Sequence, residues 1–163
     1  MHRRSYLGTA FTGLAAATAG CAGGEVVRSV SRSVTIPAGS GKIFEIPSAA
    51  DKIKFTVRDE RPFDVFVFTD PADYEYYEAY TDGEDPDQRP LGHRGLGGSA
   101  TQVEADLYQV ATENRARQDL PGGGPTYFVV DHSGYADVTV PDEYDDPITP
   151  VVDLEAVEST IPL

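Results

Sequence analysis

Apolar and polar residues alternate along most of this chain with the period of a β-strand. Between 26 and 36, Val26, Val30, Val34 and Ile36 are expected on one face, with Arg28 and Arg32 between them. A second run covers 41–47 around Ile43-Phe44-Glu45-Ile46. From 52 to 58 the alternation is strict. Ile53, Phe55 and Val57 point one way and Lys52, Lys54, Thr56 and Arg58 the other, as in an antiparallel strand with one face buried. Phe63 to Phe68 is apolar on both faces apart from Asp64 and reads as a central strand, as does Tyr127-Phe128-Val129-Val130. Weaker strand signals cover 102–112, where Val103, Ala105 and Leu107 alternate, Tyr135 to Val140, and Pro150 to Val157. Gly, Pro and Asp clusters separate these runs.

One short helix interrupts the pattern. Asp70 suits an N-cap, Pro71 the first turn and Asp73 the positive end of the helix dipole, and the helix is expected to reach about Tyr80. Residues 81–98 have the glycine and proline content of a long surface loop. About eight strands, one short helix and no regular strand–helix alternation predict an all-β fold, an antiparallel β-sandwich.

The N-terminus breaks from this pattern. Residues 1–20 hold no acid, although the chain carries 27. A basic start at Arg3-Arg4 precedes a mildly apolar stretch and the small residues Thr18-Ala19-Gly20 before Cys21. The stretch between Arg4 and Cys21 would span about 24 Å as a helix, short of a hydrocarbon core of about 30 Å. Arg3-Arg4-Ser5-Tyr6-Leu7 resembles a twin-arginine export motif, carried by Arg3, Arg4, Tyr6 and Leu7, and Thr18-Ala19-Gly20-Cys21 resembles a lipobox. These resemblances imply a signal peptide over 1–20, lipidation of Cys21 and a short tether over 21–25. One domain over 26–158 and a tail over 159–163 follow. The membrane is then the expected partner, reached through a two-chain lipid on its extracytoplasmic face. The competing reading of Cys21 is an ordinary buried cysteine.

Charge narrows the function classes. Thirteen bases against 27 acids give −14, and loss of Arg3 and Arg4 with the leader takes this to −16. Such a surface opposes direct binding to nucleic acid or to an anionic membrane surface. Abundant Asp and Glu, only three Lys and a twin-arginine lipoprotein signal together resemble haloarchaeal exported lipoproteins, which implies a surface kept hydrated in concentrated salt. With Cys21 the only cysteine, no disulfide can form within the mature chain, and stability must come from packing.

Leu120-Pro121, a glycine turn and Tyr127-Phe128-Val129-Val130-Asp131 resemble a hairpin of small secreted sandwich domains such as the bacterial pre-peptidase C-terminal domains. That resemblance spans about residues 41–140 and implies an accessory or binding module. The turn here, Gly122-Gly123-Gly124-Pro125, is longer than in those domains.

The residue inventory tests several chemistries. A blue-copper site needs a thiolate, two imidazoles and an axial ligand such as Met. The mature chain offers only His93 and His132, no Met and no cysteine beyond the lipidation candidate. Asp131-His132-Ser133 holds the residue types of a hydrolytic triad, but neighbours on a strand point to opposite faces and cannot form the relay. No Gly-x-Ser-x-Gly elbow or zinc-binding histidine pair occurs, and no cofactor is expected. Asp82, Glu84, Asp85 and Asp87 are a weak calcium candidate without EF-hand spacing, against the simpler reading of a solvated loop. Asp142, Glu143, Asp145 and Asp146 form a second such cluster. Tyr74, Tyr76, Tyr77 and Tyr80, with His93 on the following loop, are the candidate ligand face, against the alternative of packing on the sheet. On a helix Tyr74 pairs with Tyr77 and Tyr76 with Tyr80, so one pair is expected on the sheet and the other near the surface.

The expectation is therefore a non-enzymatic, lipid-anchored cell-surface β-sandwich that binds an envelope protein or glycan, or otherwise serves the envelope. The alternative is an extracellular hydrolase working through an acid pair such as Asp82 and Asp85, or a calcium-binding domain.

Overall fold

The computed structural model describes residues 24–93, 96–122, 124–136 and 145–159. Two antiparallel sheets face each other and a helix covers the outer side of the smaller one. The large sheet runs in the order β1 (Glu25–Ser33), β10 (Val151–Glu158), β3 (Lys52–Asp59), β7 (Leu107–Ala111) and β6 (Thr101–Glu104), with β8 (Gln118–Asp119) also paired to β3. The small sheet runs β2 (Ser40–Ile46), β9 (Thr126–His132), β4 (Asp64–Phe68) and β5 (Gly98–Ser99). The all-β sandwich expected from the periodicity is the fold found.

The core between the sheets follows from strand alternation. Ile53, Phe55 and Val57 of β3 and Val152, Leu154 and Ala156 of β10 meet Phe44 and Ile46 of β2, Val65 and Val67 of β4, and Phe128 and Val130 of β9. Phe55 meets Phe128 edge-on at 4.8 Å between ring centroids. The opposite faces of β4 and β9 carry Phe66, Phe68 and Val129, and these are covered by the helix α1 (Pro71–Thr81). Two-sided burial explains why these two strands read as continuous apolar runs.

Helix α1 begins as expected. The Asp70 side chain accepts a hydrogen bond from the Ala72 N–H at 2.9 Å, and Pro71 occupies the first turn. It ends where the Asp82 N–H donates to the Glu78 carbonyl and the Gly83 N–H to that of Tyr80, with Gly83 at positive φ.

Four local expectations need correction. A bulge between Val26 and Arg28 sets Val26 opposite Val157 but Arg28 opposite Ala156, so Val26 leaves the face it was expected to share with Val30. The run 102–112 is a hairpin, folded back at Ala105-Asp106 into β6 and β7. Leu120–Pro125 is not a hairpin turn. It carries the chain from β8 in the large sheet to β9 in the small one, held by the Leu120 N–H donating to the Asp51 carbonyl and by burial of Leu120. Of the strand expected over Tyr135 to Val140, Tyr135 and Ala136 form a turn, and 137–140 lie outside the described residues.

Candidate functional site

The candidate ligand face on α1 is largely turned inward. Tyr77 is fully buried and touches Phe66, Phe68 and Tyr135. Tyr74 stacks on Tyr127 with centroids 4.0 Å apart and planes 8° from parallel. Tyr80 meets Tyr135 edge-on at 5.3 Å, and its hydroxyl donates to the Ser133 carbonyl. So Tyr80 joins Tyr74 and Tyr77, at steps of three residues, rather than Tyr76. Only Tyr76, half-buried, makes no ring contact among the described residues. The correction has a simple cause. Phe66 and Phe68 leave an aromatic surface on the outside of the small sheet, and three tyrosines from α1 bury it, each ring pair contributing about 0.5–1.5 kcal/mol beyond area.

Beneath the helix lies a buried acid. Asp131 of β9 is wholly inaccessible, and its Oδ1 accepts hydrogen bonds from the Tyr77 hydroxyl at 2.7 Å and the Ser133 hydroxyl at 2.6 Å. Its Oδ2 has no hydrogen-bond partner among the described residues. Asp64, the lone acid in the apolar run of β4, stands opposite Asp131 in the register and is also buried. Burial pushes the Asp131 carboxyl up from 3.8 to about 6; the Ser133 and Tyr77 hydrogen bonds oppose the rise and the Asp64 charge adds to it. Burial, then the nearby Asp131 charge, pushes the Tyr77 hydroxyl far above its ordinary range. Burial also raises Tyr135, to about 12.

A glycine makes this contact possible. Gly41 of β2 is the register partner of Asp131, and a Cβ there would overlap the Tyr77 hydroxyl. The missing side chain is the slot through which Tyr77 reaches Asp131.

Asp131, His132 and Ser133 are brought into no relay. Ser133 spends its hydroxyl on Asp131, while His132 points to the other face of β9, where its Nε2 donates to the Asp146 carbonyl. The strand alternation read from the sequence is what separates them. The interaction of Asp131 with Tyr77, 54 residues away, was not legible; the only signals were an isolated acid in each of two apolar runs.

The loop after α1 is held to the fold. Arg89 donates to Asp85 at 2.8 Å and lies over the Tyr80 ring at 4.5 Å. The Tyr135 hydroxyl donates to the Pro90 carbonyl, and the His93 N–H to that of Val67 on β4. Gly92, at positive φ, permits that approach, since a Cβ would meet the Val67 carbonyl. His93 is thus fixed through its backbone beside β4, with no ring contact to the tyrosines among the described residues. The calcium candidates Asp82, Glu84, Asp85 and Asp87 are all exposed. Asp85 is engaged by Arg89, and among the described residues no three acidic, His or Cys side chains converge as a metal-ligand set. Of the second acidic cluster, Asp142 and Glu143 lie outside the described residues, as do Arg3, Arg4, Tyr6, Leu7 and Cys21. Among the described residues no helix is long and apolar enough to cross a membrane.

No protein-family model, curated protein or solved structure matches the chain.

Proposed function

We propose that this protein is a non-catalytic, lipid-tethered β-sandwich of the extracytoplasmic membrane face, acting as an envelope binding module. The observation that carries the reading is the join between leader and domain. The small-residue run ends at Cys21, and the first strand begins at Glu25, so three residues separate the lipidation candidate from a sheet edge. A tether of that length reaches at most about 10 Å and would hold the sandwich against the membrane surface. Non-catalytic action is supported by the position of the groups with displaced acidity. Asp131 and Tyr77 are sealed beneath α1, where they fasten the helix to β9.

Fractionation of cells expressing the full chain tests the anchor. The wild-type protein is expected to stay with membranes through a carbonate wash, and Cys21→Ser to be released with an unchanged melting curve. A membrane-bound Cys21→Ser protein would overturn the reading.

A further inference from the structure

We infer that the cleft between the β3–β4 turn and the segment leading into β10 binds a carboxylate that adjoins a flat apolar face. The cavity is about 720 Å³ and open to solvent. Leu107, Pro147, Ile148 and Val151 give it an apolar floor, and Arg58 and Arg61 stand at its walls.

Among the described residues their guanidiniums are only loosely held. Lys52, Arg89 and Arg117 each make a hydrogen bond to an acid. Arg58 and Arg61 are also beside acids, Asp153 at 3.7 Å and Asp146 at 3.2 Å, but neither makes a hydrogen bond to its partner. Both side chains are 45% exposed. Exposed pairs of that kind contribute little and exchange readily for a better acceptor. A guanidinium prefers a planar, two-point acceptor, which a carboxylate provides.

The cleft is built rather than incidental. Asp59, at the end of β3, accepts from the Arg61 N–H at 2.9 Å through Oδ1 and from the Thr149 N–H at 3.0 Å through Oδ2. One carboxylate therefore fastens both walls, and its charge is absorbed by backbone donors. Ile148 is fixed from the other side by its bridge to Ile36. Glu60 also lines this cleft, and the acids paired with the two arginines, Asp153 and Asp146, stand beside it. A second cleft of about 420 Å³ shares Glu60 and Arg61 with the first and is lined further by Asp106, Tyr108 and Asp146. The shape suits a carboxylate with a flat apolar flank, supplied either by a free organic acid or by a uronic acid residue of a glycan. The cleft is independent of the lipid anchor.

Titration calorimetry on the purified full chain tests this with phenylacetate, trigalacturonate and the uncharged phenylacetamide. At least one carboxylate is expected to bind saturably and the amide about ten-fold more weakly or worse, the worth of one charge-assisted hydrogen bond. Tighter binding of trigalacturonate would assign the glycan source, and tighter binding of phenylacetate the free acid. Arg58→Gln and Arg61→Gln are each expected to weaken binding about ten-fold, and Lys54→Gln, on the open sheet face, to leave it unchanged. Asp146→Asn frees Arg61 and is expected to tighten binding, which guards against a variant that merely unfolds. Equal binding of acid and amide, no saturable binding of either acid, or parental affinity in a folded Arg58→Gln/Arg61→Gln protein would overturn the inference.

Discussion

Replacing Asp131 by Asn isolates the energetics of the helix layer. The carboxyl lies beneath α1 with both of its hydrogen bonds, from Tyr77 and Ser133, on Oδ1. Asn keeps that acceptor, changes the volume little and cannot ionise. In the folded protein burial raises the Asp131 pKa from 3.8 to about 6. Between those values the native state holds a proton that the unfolded chain has released. Stability therefore falls as pH rises through the window and stays low above it. At about 1.4 kcal/mol per pKa unit, ionised Asp131 costs roughly 3 kcal/mol relative to the protonated form. Urea unfolding of wild type and Asp131→Asn at fixed salt, from pH 4 to pH 7.5, reads the difference directly, since every other titrating group is common to both. The variant is expected to gain on wild type by roughly 2.4 kcal/mol across that range, with most of the change below pH 6. A gap that stays constant would show that the Tyr77 and Ser133 hydrogen bonds hold the carboxylate ionised in the folded state, refuting burial as the dominant influence.

Gly41→Ala places a methyl group on the Tyr77 hydroxyl and is expected to cost about 1–3 kcal/mol in urea unfolding. Combined with Tyr77→Phe the cost should be well below the sum of the two single changes, because they share one clash. Tyr135→Phe removes the hydroxyl that holds Pro90, and limited proteolysis should cut within 82–93 faster while the sandwich core stays intact. At a net charge of −14, carboxylate repulsion is screened over about 3 Å at 1 M salt against about 10 Å at 0.1 M. The melting temperature is expected to climb steeply with KCl, and a flat profile would contradict a surface adapted to salt.

What the sequence made legible was set by how local the causes are. The strict alternation of 52–58 identified β3 and its core face, because side chains on one strand must alternate. The Asp70 cap and Pro71 located α1 for a similar reason, their partners lying within two residues. The two-sided apolar runs at 63–68 and 127–130 were readable as buried strands, yet nothing local said that one covering layer would be a helix. That is why the tyrosines of α1 looked available for a ligand. Their partners, Phe66, Phe68, Tyr127 and Tyr135, come from three other parts of the chain. The passage of 120–125 between sheets was hidden for the opposite reason. A glycine-rich segment beside two strand signals has the local chemistry of a hairpin, and only the burial of Leu120 between the sheets reveals the crossing. The Arg58 and Arg61 cleft had no signal at all, since its floor is assembled from β7, the segment before β10 and the first residue of β10.

Whether Cys21 holds the sandwich to the membrane is read from the mass of the protein's own N-terminus. The membrane-extracted chain, digested and analysed by mass spectrometry, is expected to yield a terminal peptide beginning at Cys21 and carrying a lipid on its sulfur. An intact peptide running from Gly20 through Cys21, with a thiol that iodoacetamide alkylates, would rule out the lipid anchor.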